Sequence, residues 1–316
     1  MLGATVLTAL VCGGCCQVQP DVVPLFSAHE FKFGRDAKPY HYRLHEPLHA
    51  EDDGRLFPLV VWLHGQGEQG EDNIDQLEWL DRLIFLPPRS PERFPFFLVA
   101  VQCPRQARVW FRDSVPEEKR STDMLDVTWA VVEKLLREKP IDHNRVYLAG
   151  LSAGGTACWE LALRHPDIFA AVLTMGSVGT FRSRLDRIAN IPIWAFHSEH
   201  DGGIEMLRDT VAAVKDAGGN VRLTEIATSD HNCWTAAFHE HHAFDWLMAQ
   251  RRGRYAKAGS LPIACRLSYA LAGWRWWQVP LQAAVVALPL LLVLAMVRKR
   301  GDRQDTPPRR PVSRAR

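Results

Sequence analysis

Ser152 stands at the centre of Gly150-Leu151-Ser152-Ala153-Gly154, directly after the apolar run 146–149 and before a stretch, 156–165, that reads as a helix. A serine hydroxyl attacks a carbonyl only when a base takes its proton, and an imidazole serves as that base when a carboxylate fixes its tautomer. Both groups follow downstream. The apolar segment 191–196 runs into His197-Ser198-Glu199-His200-Asp201, and the segment 221–226 runs into Asp230-His231-Asn232-Cys233-Trp234. The order Ser152, Asp201, His231, with each residue just past an expected strand, points to nucleophilic acyl transfer. Glu199 competes with Asp201 for the acid role. His197, His200, His239, His241 and His242 compete with His231, the last three of them on an expected final helix as packing or solvated residues.

The blocks PLVVWLHGQGEQGEDN (58–73), RVYLAGLSAGGTACWELALRHPDIFAAV (145–172), IPIWAFHSEHD (191–201) and DHNCWTAAF (230–238) resemble the esterase and "predicted peptidase" branch of the α/β-hydrolases. That branch lies near feruloyl-esterase and polyhydroxybutyrate-depolymerase-like enzymes. The resemblance covers about residues 25–252. It implies hydrolysis of a small-molecule or polymer-linked ester without a cofactor, with the nucleophile on Ser152, the acid on Asp201 and the histidine on His231. In this fold the oxyanion donors come from the loop after an early strand and from the residue following the nucleophile, here the N–H groups of Gln66 and Ala153. His64, just before the loop glycines, is expected to orient that loop. Ser198 stands where relatives often carry Gly, and Gly202-Gly203 where they carry an apolar residue and Pro. Neither departure removes a catalytic group; both bear on substrate preference. Trp110 and Trp234 are taken as substrate-lining residues. His197-x-x-His200-Asp201 crowds potential ligands, yet no zinc-site pattern such as H-E-x-x-H is present, and no metal is assigned.

The elements that must position these groups alternate between strands and helices, which predicts a mostly parallel central sheet with helices on both faces. Antiparallel strands lead within 31–44, and strands follow at 59–63, 96–101, 145–149, 169–174, 191–196 and 221–226. Helices are expected over 74–83, 121–138 with Ser121 as N-cap, 156–165, 204–217 and 235–252.

At 316 residues and 47% hydrophobic, the chain can bury one large α/β core with appendages. The net charge of +2 averages unlike parts: residues 298–316 carry eight Lys or Arg against two acids, leaving the remainder slightly acidic and without support for nucleic-acid binding. Residues 279–297 are uncharged. As a helix they span roughly 28 Å, near the thickness of a bilayer core, and Trp274, Trp276 and Trp277 flank them as interfacial anchors. The expected layout is a signal peptide over 1–19, a catalytic domain over 25–252, a juxtamembrane linker over 253–278, one C-terminal transmembrane helix over 279–297 and a basic disordered tail over 298–316. Positive charge after the span places the tail in the cytoplasm and the catalytic domain on the periplasmic or cell-surface side. Cys15 offers a lipoprotein acceptor as the alternative to a cleaved signal. Beside the serine esterase, two other readings stay open: a serine peptidase using the same machinery, and a catalytically silent binding module.

Overall fold

A computed structural model describes residues 21–34, 38–48, 50, 54–85, 95–105, 110, 123–180 and 184–254. The segments assigned to signal peptide, transmembrane helix and tail lie outside them, as does all of the linker after residue 254. Among the described residues no helix is long and apolar enough to cross a membrane.

Among the described residues eight strands form one sheet: β1 (Ser27–Phe31), β2 (Tyr40–His45), β3 (Phe57–Leu63), β4 (Phe97–Val101), β5 (Ile141–Leu151), β6 (Ala171–Met175), β7 (Ile193–Ser198) and β8 (Val221–Ile226). Their spatial order is β1-β2-β4-β3-β5-β6-β7-β8. The first three in that order pair antiparallel and every later pairing is parallel.

Alternation along the central strands divides their side chains between two cores. Leu59, Val61 and Leu63 of β3, with Val146 and Leu148 of β5, enter one core. Val60 and Trp62, with Tyr147, Ala149 and Leu151, enter the other. Strands apolar on both faces must be covered on both faces, and the helices comply. The first core is roofed by α2 (Met124–Glu138), α3 (Ala153–Arg164) and α4 (Ile204–Asp216), the second by α1 (Leu80–Leu83), α5 (Trp234–His239) and α6 (Ala243–Met248). This is the α/β-hydrolase fold. Pro58, which has no N–H for a ladder, sits where the β3–β5 register shifts between Phe57 and Leu59.

Three local expectations need correction. Helix α2 starts at Met124, and Asp123 rather than Ser121 caps it by accepting the Leu125 N–H at 2.9 Å. The segment 74–83 is a 3-10 turn (Asp75–Leu77) followed by the single turn of α1. The closing helix expected over 235–252 is two short helices: α5 ends at His239, and His242, in a left-handed conformation (φ 53, ψ 40), stands before the start of α6. His241 then packs its ring beside Phe196 at 5.5 Å.

Candidate active site

The crossing from β5 into α3 is so tight that Ser152 takes φ 53, ψ −122, a region closed to most L-residues. Its N–H is held by the Met175 carbonyl at 2.7 Å. The flanking glycines permit the turn. A Cβ on Gly154 would lie 2.0 Å from the Leu63 carbonyl oxygen, and one on Gly150 would lie 2.7 Å from that of Gly154. The start of α3 therefore rests directly on the end of β3, which brings the loop after β3 against the serine.

His231 reaches the same point from the loop between β8 and α5. Its Nε2 lies 3.0 Å from Ser152 Oγ and its Nδ1 2.5 Å from Asp201 Oδ2. With neutral imidazole, Nδ1–H donates to Asp201 and Nε2 accepts from the serine hydroxyl. Asp201, in the turn after β7, also accepts the Gly202 N–H at 2.8 Å. Partial burial alone would raise its carboxyl; the hydrogen bond and the charge of His231 outweigh that and hold it below the usual range. Of the two candidate acids, Asp201 is the one that meets the histidine. The ring of His231 is closely fitted, since a Cβ on Gly176 would lie 3.3 Å from its Cε1.

The loop carrying Gln66 is braced from within. His64 is 1% exposed. Its Nδ1–H donates to the Gly65 carbonyl at 2.6 Å and its Nε2 accepts the Cys103 N–H at 3.0 Å. Burial pushes this imidazole down to about 4, so near neutral pH it stays uncharged in one tautomer. In a trans peptide the carbonyl and the following N–H point in opposite directions. Holding the Gly65 carbonyl toward His64 thus turns the Gln66 N–H away from it, and Gln66 is exposed. Ala153 opens α3, where an N–H has no acceptor within its own helix.

The two tryptophans expected to line a pocket separate. Trp110 is 1% exposed; its indole N–H donates to the His64 carbonyl at 3.0 Å and its ring lies 4.8 Å from the His64 ring. It supports the loop from behind and presents no surface to a substrate. Trp234, 5% exposed, stands edge-to-face with His231 at 5.5 Å.

Three further residues join the site. Glu68 is buried, with Oε1 accepting the Trp79 indole N–H at 3.3 Å; burial, with Glu78 adding to it, raises its carboxyl. Trp79 meets Trp234 at 5.3 Å. Ser198 is fully buried and donates its hydroxyl to the Asp230 carbonyl at 2.5 Å. Its departure from the related pattern was the visible signal for Ser198. Nothing in the apolar spacing of 74–83 marks Trp79.

A family model described as phospholipase/carboxylesterase matches residues 50–244, which contain the whole constellation. A protein named as an esterase, NocK from Nocardia uniformis subsp. tsuyamanensis, is 27% identical over 165 residues, covering 51% of this chain and 44% of its own. A thermostable esterase of known structure is 33% identical, with TM-score 0.65, over 73% of this chain and 64% of its own. The chain thus spans less than two thirds of the length of either relative. The S-formylglutathione hydrolase FrmB of Staphylococcus aureus shares the fold at TM-score 0.52 and 10% identity, over 71% of this chain and 98% of its own.

Proposed function

The chain belongs to the phospholipase/carboxylesterase family, and from that premise we propose that it hydrolyses carboxylic esters through Ser152, His231 and Asp201 by way of an acyl-enzyme. One observation carries this: a single imidazole lies within hydrogen-bond reach of both the strained serine hydroxyl and a carboxylate.

In the first half-reaction His231 Nε2 takes the hydroxyl proton as Ser152 Oγ bonds to the ester carbonyl carbon. The carbonyl electron pair moves onto oxygen, where the N–H groups of Gln66 and Ala153 receive the new charge. Such donors act on charge absent from the ground state, each worth roughly 100- to 1,000-fold in rate. Asp201 keeps Nδ1–H in place and steadies the imidazolium. When the tetrahedral species collapses, the alcohol leaves with the proton from Nε2 and the acyl group stays on Ser152. Water then repeats the sequence, its proton passing to His231 and on to Ser152 as the free acid departs. No cofactor enters either half.

The test is turnover of p-nitrophenyl acetate and butyrate by the full chain. Ser152→Ala should lose activity by on the order of 10⁴-fold or more; retention within tenfold of wild type would overturn the assignment.

We also propose that residues 279–297 tether the enzyme to a membrane with its catalytic domain extracytoplasmic. The support is the uncharged run and the eight basic residues after it. Alkaline carbonate should leave the full chain in the membrane fraction and release a chain ending at Arg254. Release of both would end this reading.

A further inference from the structure

Trp79 packs against the second core and has the Arg82 guanidinium 5.4 Å over its ring, but its backbone sets it apart. It stands immediately before α1 at φ 72, ψ −23, a left-handed conformation that a bulky aromatic rarely adopts. Backbone of this kind persists only where the surroundings hold it, and it gathers at functional sites. The tryptophans that serve as filler, such as Trp62, Trp159 and Trp246, are fully buried; Trp79 is only partly buried.

Its contacts connect it to both sides of the site. The indole N–H is tied to Glu68 Oε1 at 3.3 Å. The other oxygen of Glu68 lies 2.8 Å from the position a Cβ on Gly65 would take, a point 3.4 Å from Ser152 Cβ. On its other side Trp79 meets Trp234 at 5.3 Å with planes 74° apart, and Trp234 meets His231 at 5.5 Å and 88°. The ring therefore bridges the loop that carries Gln66 and the helix that follows His231, the two walls between which Ser152 sits.

Resting on the esterase reading above, we propose that Trp79, backed by Trp234, forms an aromatic subsite that receives an aromatic ring of the ester. A second ring can meet such a pair edge-to-face or offset, gaining from complementary ring charge as well as from burial; a saturated ring of the same size gains burial alone. The Glu68 hydrogen bond fixes the indole beforehand, so little freedom is lost when the ring arrives. The substrate ring belongs to either the acid or the alcohol half, and the experiment separates them.

The experiment compares kcat/KM within two pairs of esters whose reacting carbons are insulated from the ring by a methylene: benzyl acetate with cyclohexylmethyl acetate, and methyl phenylacetate with methyl cyclohexylacetate. Wild type should favour the aromatic member of at least one pair by about tenfold, expressed in KM. Trp79→Gly removes the ring and accepts the positive φ without strain; it should bring that preference to within about twofold. Trp79→Leu keeps apolar bulk without a π-face, should do the same, and carries the test if the glycine variant fails to fold. A wild type with no aromatic preference in either pair would overturn the subsite, as would a preference that survives in the folded variant. Absence of wild-type turnover on all four esters, or turnover that persists in Ser152→Ala, would instead strike the esterase reading beneath it.

Discussion

The hydroxyl of Ser198, at the end of β7, donates to the main-chain carbonyl of Asp230, the residue before His231. Through it the strand that delivers the acid holds the loop that delivers the base. Further bonds finish the loop: Asp230 Oδ1 accepts the Asn232 N–H at 3.1 Å, and Asn232 Oδ1 accepts both the N–H and the hydroxyl of Thr235 at 3.1 and 3.0 Å. The sequence departure that read as a matter of substrate preference is, in the structure, a fastening of His231.

Ser198→Ala takes the donor away from that carbonyl, a loss of about 0.5–1.5 kcal/mol. We expect kcat on p-nitrophenyl acetate to fall by roughly tenfold with KM little changed, since the effect is on the placement of the base. An unaltered kcat in Ser198→Ala, or an equal loss in a Ser198→Thr variant that keeps the hydroxyl, would deny the role.

Asp201→Asn keeps the shape of the acid and changes the hydrogen bond at Nδ1, so the imidazole no longer presents a lone pair to Ser152. Turnover should drop on the order of 10⁴-fold. Glu199→Gln is the control. If it caused the larger loss, the acid would have been misassigned.

Gly154→Ala would drive a methyl group into the Leu63 and His64 carbonyls, 2.0 and 2.4 Å from its position. Overpacking of this severity destabilises by about 3 kcal/mol, and the shift falls on the elbow itself. Denaturant unfolding of this variant should show a lower midpoint, together with loss of esterase activity; an unchanged midpoint would mean that α3 does not rest on β3 as described.

His64 makes stability depend on pH. In the unfolded chain its imidazole takes a proton near 6.5, whereas burial holds it at about 4 in the fold. Between those values the unfolded state binds more protons, so stability is complete above pH 6.5 and declines as pH falls toward 4. The total is about 3 kcal/mol for a shift of this size. Burial, aided by Arg164 and Arg187, also lowers His165 to about 4, which adds to the same window. Calorimetric Tm should fall steadily from pH 6.5 to pH 4, and a flat Tm would contradict the buried neutral state.

Much of this was legible in the sequence for physical reasons. The elbow can be read because a strand, two glycines around a serine and a helix admit few conformations, and β8 falls on the expected 221–226 because Gly218, Gly219 and Asn220 precede that segment and Thr228, Ser229 and Asp230 follow it. The break between α5 and α6 is not legible: apolar spacing continues through it, while His241 packs beside Phe196 and Phe244 beside Phe96. Trp110 misled for a similar reason. Its partner, the His64 carbonyl, lies 46 residues earlier, and no local pattern records such a pairing. Trp79 was hidden inside what reads as one helix, since the backbone there answers to Glu68 and Trp234 rather than to its own propensity.

The most direct measurement is peptide mapping by mass spectrometry after reaction of the full chain with a fluorophosphonate. A single adduct on Ser152, absent in Ser152→Ala and slowed in His231→Ala, is the expected result. An adduct on another residue, or none under conditions where ester turnover proceeds, would show that the hydroxyl at the elbow is not the nucleophile.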